Sequence, residues 1–189
     1  MNNDLLYSKL PFLGSIREER RNTIIEYFKT APDWLADFFK IEYLPANTVF
    51  IREGHPASYV YLIADGIVKA TEYRIIGVEF DFIRFDKVYA MGGMEVLMHL
   101  PSYRTTLSTV TDCNVVRIPR NKYEQWLFND LEAMKIESSM TCGISWSRLV
   151  WPGLIFSWKV LTALLFCWYA NTKSTPKTAF TIPVLTDVT

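Results

Sequence analysis

Between Tyr43 and Ile118 the chain is a succession of short runs rich in Val, Ile, Tyr, Phe and Thr, cut by Gly, Pro, Asn and Asp. The runs fall at about 43–44, 48–51, 59–64, 66–72, 78–84, 88–91, 104–110 and 113–118, with no helical period between them. Many short strands at regular spacing predict a β-sandwich or small barrel, not an α/β sheet. In "GVEFDFIRF" Val78, Phe80 and Phe82 share one face and Glu79 and Asp81 the other, the period of a strand with one wet side. Gly77 stands where the hairpin before it must turn.

The stretch "REGHPASYVYLIADGIVKA", residues 52–70, is bracketed by Gly54 and Gly66. Each glycine permits a tight reversal at positive φ without a Cβ penalty. The run Tyr59 to Ile63 is apolar on both faces, as expected in the middle of a two-sheet stack.

Helical character flanks this region. Residues 15–41 read as helix, with Ser15 as a cap and Glu18 and Glu19 in the first turn. Ile24, Ile25 and Phe28 follow at helical spacing, and Pro32 starts a second short helix carrying Trp34, Leu35, Phe38 and Phe39. From Pro119, Tyr123, Trp126, Leu127, Leu131 and Met134 recur at three and four, predicting a long helix to about Leu149. Gly143 within it costs about 1 kcal/mol relative to Ala. Pro152-Gly153 is a break. Residues 154–170 are the most hydrophobic segment, and the Thr- and Pro-rich end reads as loose.

The chain has 189 residues, enough for one sizeable core. Half are hydrophobic, which excludes compositional disorder. Twenty basic residues balance twenty acidic ones, so no global charge points to nucleic acid or membrane. Cys113, Cys142 and Cys167 are far apart and form no metal or disulfide pattern. They read as free thiols in a reducing cytoplasm. The N-terminus lacks a basic n-region followed by a long apolar run, so no secretory signal is expected. No catalytic signature (Ser-His-Asp, Walker loop or HExxH) is present, and no enzyme is expected.

The order of elements resembles the sensor domain of Crp/Fnr-family bacterial transcription regulators. The carrying residues are Leu44 to Phe50, Glu53-Gly54-His55-Pro56-Ala57, Tyr59 to Ile63, Asp65-Gly66-Ile67-Val68-Lys69, Tyr103 to Thr106, and Asp112 to Arg120. The resemblance covers about residues 5–150. It implies a mainly β fold with flanking helices: a cyclic-nucleotide-binding-type jelly roll (double-stranded β-helix) followed by a long C-terminal helix. The implied division is N-terminal helices at 1–41, the sandwich at 42–120, a dimerisation helix at 121–150, and at 151–189 an apolar helix and loose tail, the remnant of a helix-turn-helix domain.

Ligand-binding members hold a cyclic phosphate with a Gly-Glu step and an Arg-Ser or Arg-Thr step, and the glutamate takes the ribose hydroxyl. Here Gly92-Gly93-Met94-Glu95 is followed by Arg104-Thr105. Backbone N–H groups and a guanidinium suit such an anion. If Gly93 takes the glycine's place, Met94 takes the glutamate's and Glu95 is one residue late. On a strand that slip reverses the face, unless the double glycine makes a bulge. Gly92, Gly93, Glu95, Arg104 and Thr105 are therefore the candidate ligand-binding residues. The ligand is a cyclic nucleotide of the cyclic AMP kind, another small effector in the same pocket, or none. No metal is expected: the iron–sulfur sensors of the family need clustered cysteines, and His55 and His99 read as exposed turn residues.

The resemblance implies a homodimer through the long helix, where Leu131, Met134, Ser138, Cys142, Ser145 and Leu149 lie near a heptad seam. Residues 161–169 resemble the first helix of a winged helix-turn-helix domain. No Arg follows Arg148, and only Lys159, Lys173 and Lys177 remain for phosphate contacts, so DNA binding by this chain is not expected from its own residues. The rival reading makes residues 149–170 a membrane helix, with Trp151, Trp168 and Tyr169 at the interfaces. Lys159 at mid-span costs about 2.5 to 3.5 kcal/mol, which disfavours it. The alternative function is a stand-alone ligand-binding or interaction module, membrane-tethered or not, without DNA binding.

Overall fold

A computed structural model describes residues 1–73 and 79–146. Among the described residues eight antiparallel strands make two four-stranded sheets. They are β1 (Lys40–Leu44), β2 (Val49–Ile51), β3 (Tyr59–Asp65), β4 (Val68–Tyr73), β5 (Glu79–Phe85), β6 (Tyr89–Met91), β7 (Thr106–Thr109) and β8 (Cys113–Pro119). One sheet has the order β1-β8-β3-β6 and the other β2-β7-β4-β5, a jelly roll. Every run expected from the sequence is a strand, including Glu79–Phe85. Gly77, the turn around it and the face assignment of residues 78–82 lie outside the described residues and side chains.

β3 is central and apolar on both faces, but only one face meets the other sheet. Tyr61 and Ile63 join the core between the sheets, with Leu107, Phe85 and Val115. Val60, Leu62 and Ala64 point the other way into a second core, built with helices. The two-sheet stack expected for this strand is therefore a three-layer sandwich of helices, sheet and sheet.

A helix precedes the one read from Ser15 onward. α1 (Asn3–Lys9) is capped by Asn2, whose Oδ1 accepts the Leu5 N–H at 2.7 Å. A 3₁₀ turn, Pro11–Gly14, follows. Ser15 closes that turn rather than opening the next helix: its N–H and hydroxyl both donate back to the Phe12 carbonyl, and α2 (Glu18–Tyr27) starts after Arg17. Ile24, Tyr27 and Phe28 enter the helical core. Pro32 opens a 3₁₀ helix, Asp33–Phe38, as a Pro at a helix entry should. A short α3 (Gly93–Leu97) follows β6.

After β8 the helical stretch is divided. α4 (Arg120–Leu127) ends at Phe128, and α5 (Leu131–Trp146) restarts behind Asp130. The Asp130 Oδ1 accepts the N–H groups of Glu132 at 3.0 Å and Ala133 at 3.2 Å. The long helix therefore starts at Leu131 rather than Pro119. Asp130→Ala is expected to cost about 1 kcal/mol of unfolding free energy in a urea titration, the usual loss of a cap.

Arg20 of α2 is a buried cation, 4% exposed. Its terminal nitrogens donate to the carbonyls of Ala64 (3.3 Å), Gly66 (2.8 Å) and Asp86 (2.5 Å). Asp65 Oδ1 lies 3.5 Å from its Nε, which has no hydrogen-bond acceptor. One side chain thus pins α2 to the β3–β4 and β5–β6 turns.

Candidate functional site

The candidate residues meet at the end of the sandwich where β6 runs into α3. Gly92 has φ 97°, the left-handed region that glycine favours. A Cβ there would lie 2.9 Å from the Tyr59 carbonyl oxygen and 3.4 Å from the Tyr103 ring. Gly92 therefore turns the chain and lets β3 approach closely. Its carbonyl accepts the Val96 N–H at 3.1 Å, the first bond of α3.

Gly93 has a different reason to be glycine. A methyl at this position would collide with the Glu137 carboxyl of α5. Its missing side chain faces the helical layer, not the space between the sheets.

Because residues 93–97 are helix and not strand, the one-residue displacement of the acid does not reverse its face. Glu95 turns inward and is 5% exposed. Its Oε1 accepts the backbone N–H of Arg104 at 3.0 Å. Burial raises its pKa, against the lowering effect of that N–H and of the Arg120 and Arg104 charges. The turn supplied by the double glycine thus brings Glu95 to the Arg104-Thr105 step. Arg104 is exposed and its guanidinium has no ion pair among the described residues; Thr105 is half-buried. Both sit just before β7, which begins at Thr106.

Two neighbouring segments fix this arc. The Gly54 N–H donates to the Tyr103 carbonyl (2.9 Å), the Tyr103 N–H to the His55 carbonyl (2.9 Å) and the Ala57 N–H to the Pro101 carbonyl (3.0 Å). The Tyr103 hydroxyl donates to the Tyr59 carbonyl at 2.7 Å. On the other side Arg120, at the start of α4, donates to the Leu100 carbonyl at 2.5 Å and the Glu95 carbonyl at 3.4 Å, and pairs with Glu124 at 2.6 Å. Arg120 was not among the candidate ligand-binding residues, although it stands directly after the last strand.

Aromatic and charged groups line the inner sheet beside the arc. Arg117 lies 4.6 Å from the centre of the Tyr59 ring and 3.0 Å from Glu42. Tyr61 packs edge-on against Phe50, with centroids 5.4 Å apart. Two clefts of about 540 Å³ lie elsewhere, and neither includes Gly92, Glu95, Arg104 or Thr105. His55 and His99 are exposed. His99 stacks on Phe128, with centroids 5.3 Å apart. Among the described residues no group of three His, Cys, Asp or Glu side chains could hold a metal.

Residues 41–130 match the cyclic nucleotide-binding domain family. Over those residues the chain is similar to a cyclic nucleotide-binding domain. The sensor domain of the transcriptional regulator DNR from Pseudomonas aeruginosa is similar at 16% identity, TM-score 0.54, over 73% of this chain and 99% of that one. The c-di-GMP responsive global regulator CLP from Xanthomonas campestris is similar at 19% identity, TM-score 0.52, over 77% of this chain and 61% of CLP. The regulatory subunit of a cAMP-independent protein kinase A from Trypanosoma brucei is similar at 18% identity, TM-score 0.54, over 72% of this chain and 49% of that one. The match therefore spans less than two thirds of the latter two proteins. No curated protein matches the chain. Among the described residues no helix is long and apolar enough to cross a membrane. The membrane reading of residues 149–170, the helix-turn-helix resemblance and the tail lie outside the described residues.

Proposed function

We propose that this domain is the effector sensor of a Crp/Fnr-type transcription regulator, regulatory and not catalytic, working in the cytoplasm. It takes a small phosphate-bearing ligand, with a cyclic nucleotide as the leading class, and signals through α5 in a homodimer. The observation that carries this is the convergence of Gly92, Glu95 and Arg104 on one short arc, with the Arg104 guanidinium exposed and unpaired among the described residues. An unpaired guanidinium beside a backbone turn suits a phosphate. Thr105 supplies a hydroxyl next to it, and Gly93 supplies backbone alone. Glu95 fits a supporting part better than a direct one, because its carboxylate already holds the Arg104 backbone.

Calorimetric titration with cyclic AMP, cyclic GMP and cyclic di-GMP tests the ligand class. One of them is expected to bind saturably, and Arg104→Ala to weaken it at least about tenfold, as for loss of a charged hydrogen bond. Indifference to all three at millimolar concentration removes the cyclic-nucleotide reading and leaves another small effector.

The dimer rests on α5. Leu131 is 67% exposed at its start. Met134 packs instead on the chain's own helical core, so the seam narrows to Leu131 and Ser138 among the described side chains. Light scattering on the purified chain checks the state. The second reading is a stand-alone module without DNA binding. Mobility shift with promoter DNA separates the two.

A further inference from the structure

Glu137 is a carboxylic acid in the middle of the helical core, 1% exposed. Four elements meet on it. From α2, the Tyr27 hydroxyl donates to its Oε2 at 2.7 Å. From α4 comes Tyr123, hydrogen-bonded to Tyr27 through the two hydroxyls. From α3 comes only the bare backbone of Gly93, in the space where a side chain would otherwise stand. From α5 itself, Ala133 lies one turn earlier and is also buried. Trp126 stands edge-on to both tyrosines, at 5.8 and 5.6 Å. Tyr27 and Tyr123 are thus the titratable groups that face this carboxyl, and among the described residues no Lys, Arg or His pairs with it.

A carboxylate buried without a cation is unstable in its charged form. Burial pushes the Glu137 acid up to about 7, with the two tyrosine hydroxyls pulling in the opposite direction. The tyrosines are themselves held far above their ordinary range by burial, so they stay neutral donors. The acid is on α5, the last described helix, and it lies against Gly93 of α3, the helix that carries Glu95. Its charge therefore bears on how α5 seats against α2, α4 and α3, and at α3 it meets only the Gly93 backbone.

We propose that Glu137 is a proton-operated lock: protonated, it holds α5 on the short helix of the ligand arc, and ionised, it loosens that contact. The sign follows from linkage. An acid whose folded pKa is raised keeps its proton longer in the docked state than in the open one. Docking is strongest at low pH and weakens as pH rises from about 4.5, the free-acid value, to about 7, beyond which the full cost is present. Gly93 is the receiving half of the lock, since any side chain there displaces the carboxyl. The device is independent of which ligand the arc takes.

Amide hydrogen exchange on the full chain tests this, with α5 amides read against β3 amides as an internal reference and corrected for the intrinsic effect of pH. For an acid titrating near 7 when docked and 4.5 when open, the α5 opening constant is expected to rise about tenfold from pH 6 to pH 8. Glu137→Gln should reduce that ratio to less than about twofold. Gly93→Ala should leave α5 unprotected at both pH values while β3 stays protected. A flat wild-type ratio, a tenfold ratio kept by Glu137→Gln, or wild-type α5 protection in Gly93→Ala would each overturn the lock. If Glu137→Gln loses β3 protection and so fails to fold, the wild-type ratio and Gly93→Ala decide.

Discussion

A Gly66→Ala protein is expected to lose about 4 kcal/mol of unfolding free energy, whereas Gly54→Ala loses only about 1. Both glycines have positive φ, 97° and 78°. Both substitutions therefore incur the left-handed penalty of about 1 to 2 kcal/mol. The difference is space. At Gly54 a Cβ meets nothing within 4 Å. At Gly66 it runs into the Asp112 carbonyl and the Cys113 sulfur and stands 2.9 Å from the Cys113 Cα. Those obstacles are backbone and a buried side chain, so the chain itself must shift. Overpacking of this kind adds about 1 to 3 kcal/mol. Urea denaturation followed by far-UV circular dichroism measures both; equal losses at the two positions would refute the distinction.

Arg20→Met is the second large effect, at about 3 kcal/mol or more. The methionine keeps much of the apolar stem. It leaves the carbonyls of Ala64, Gly66 and Asp86 without the guanidinium that now serves them. The Asp65 ion pair is loose at 3.5 Å, so its loss adds little, and the cost comes from abandoned carbonyls. Thermal denaturation should show a fall in midpoint of several degrees. A stability within about 0.5 kcal/mol of wild type would mean that water replaces the guanidinium at all three carbonyls.

The strands were legible because their turns are chemical. Gly54, Gly66 and Asp112 mark reversals that few other residues allow, and Tyr59 to Ile63 is too apolar for a surface. The sequence did not show what covers the second face of β3, because an apolar strand looks alike under a sheet and under helices. The break between α4 and α5 was hidden by continuous helical spacing through Leu127, Leu131 and Met134. Asn129-Asp130 was the signal, since Asp at that point can take two amides. α1 spans only seven residues, too few for a helical period to stand out behind Asn2.

The arrangement of the candidate site was half legible. Arg104-Thr105 and the double glycine stood out, and a bulge was the expected rescue for a displaced Glu95. The rescue is a helix turn instead, and a helix cannot be inferred from five residues. Glu137 was invisible in principle. Its partners Tyr27, Tyr123 and Gly93 are distant in sequence, and only the packing of four elements makes an acid conspicuous among serines and methionines.

The order β1-β8-β3-β6 has a consequence for how the molecule comes into being. Among the described residues β1 has only β8 as a strand neighbour, with Lys40 opposite Arg117 and Leu44 opposite Cys113. β3, too, lies against β8 along nearly its whole length. During synthesis the first strand therefore leaves the ribosome with an unmet edge and must wait until almost the entire sandwich has been translated. Such non-local closure slows folding and lengthens the exposure of apolar edges. Completion of β8 is thus the event that turns a nascent chain into a domain, and chains ending before it would be handed to chaperones or proteases.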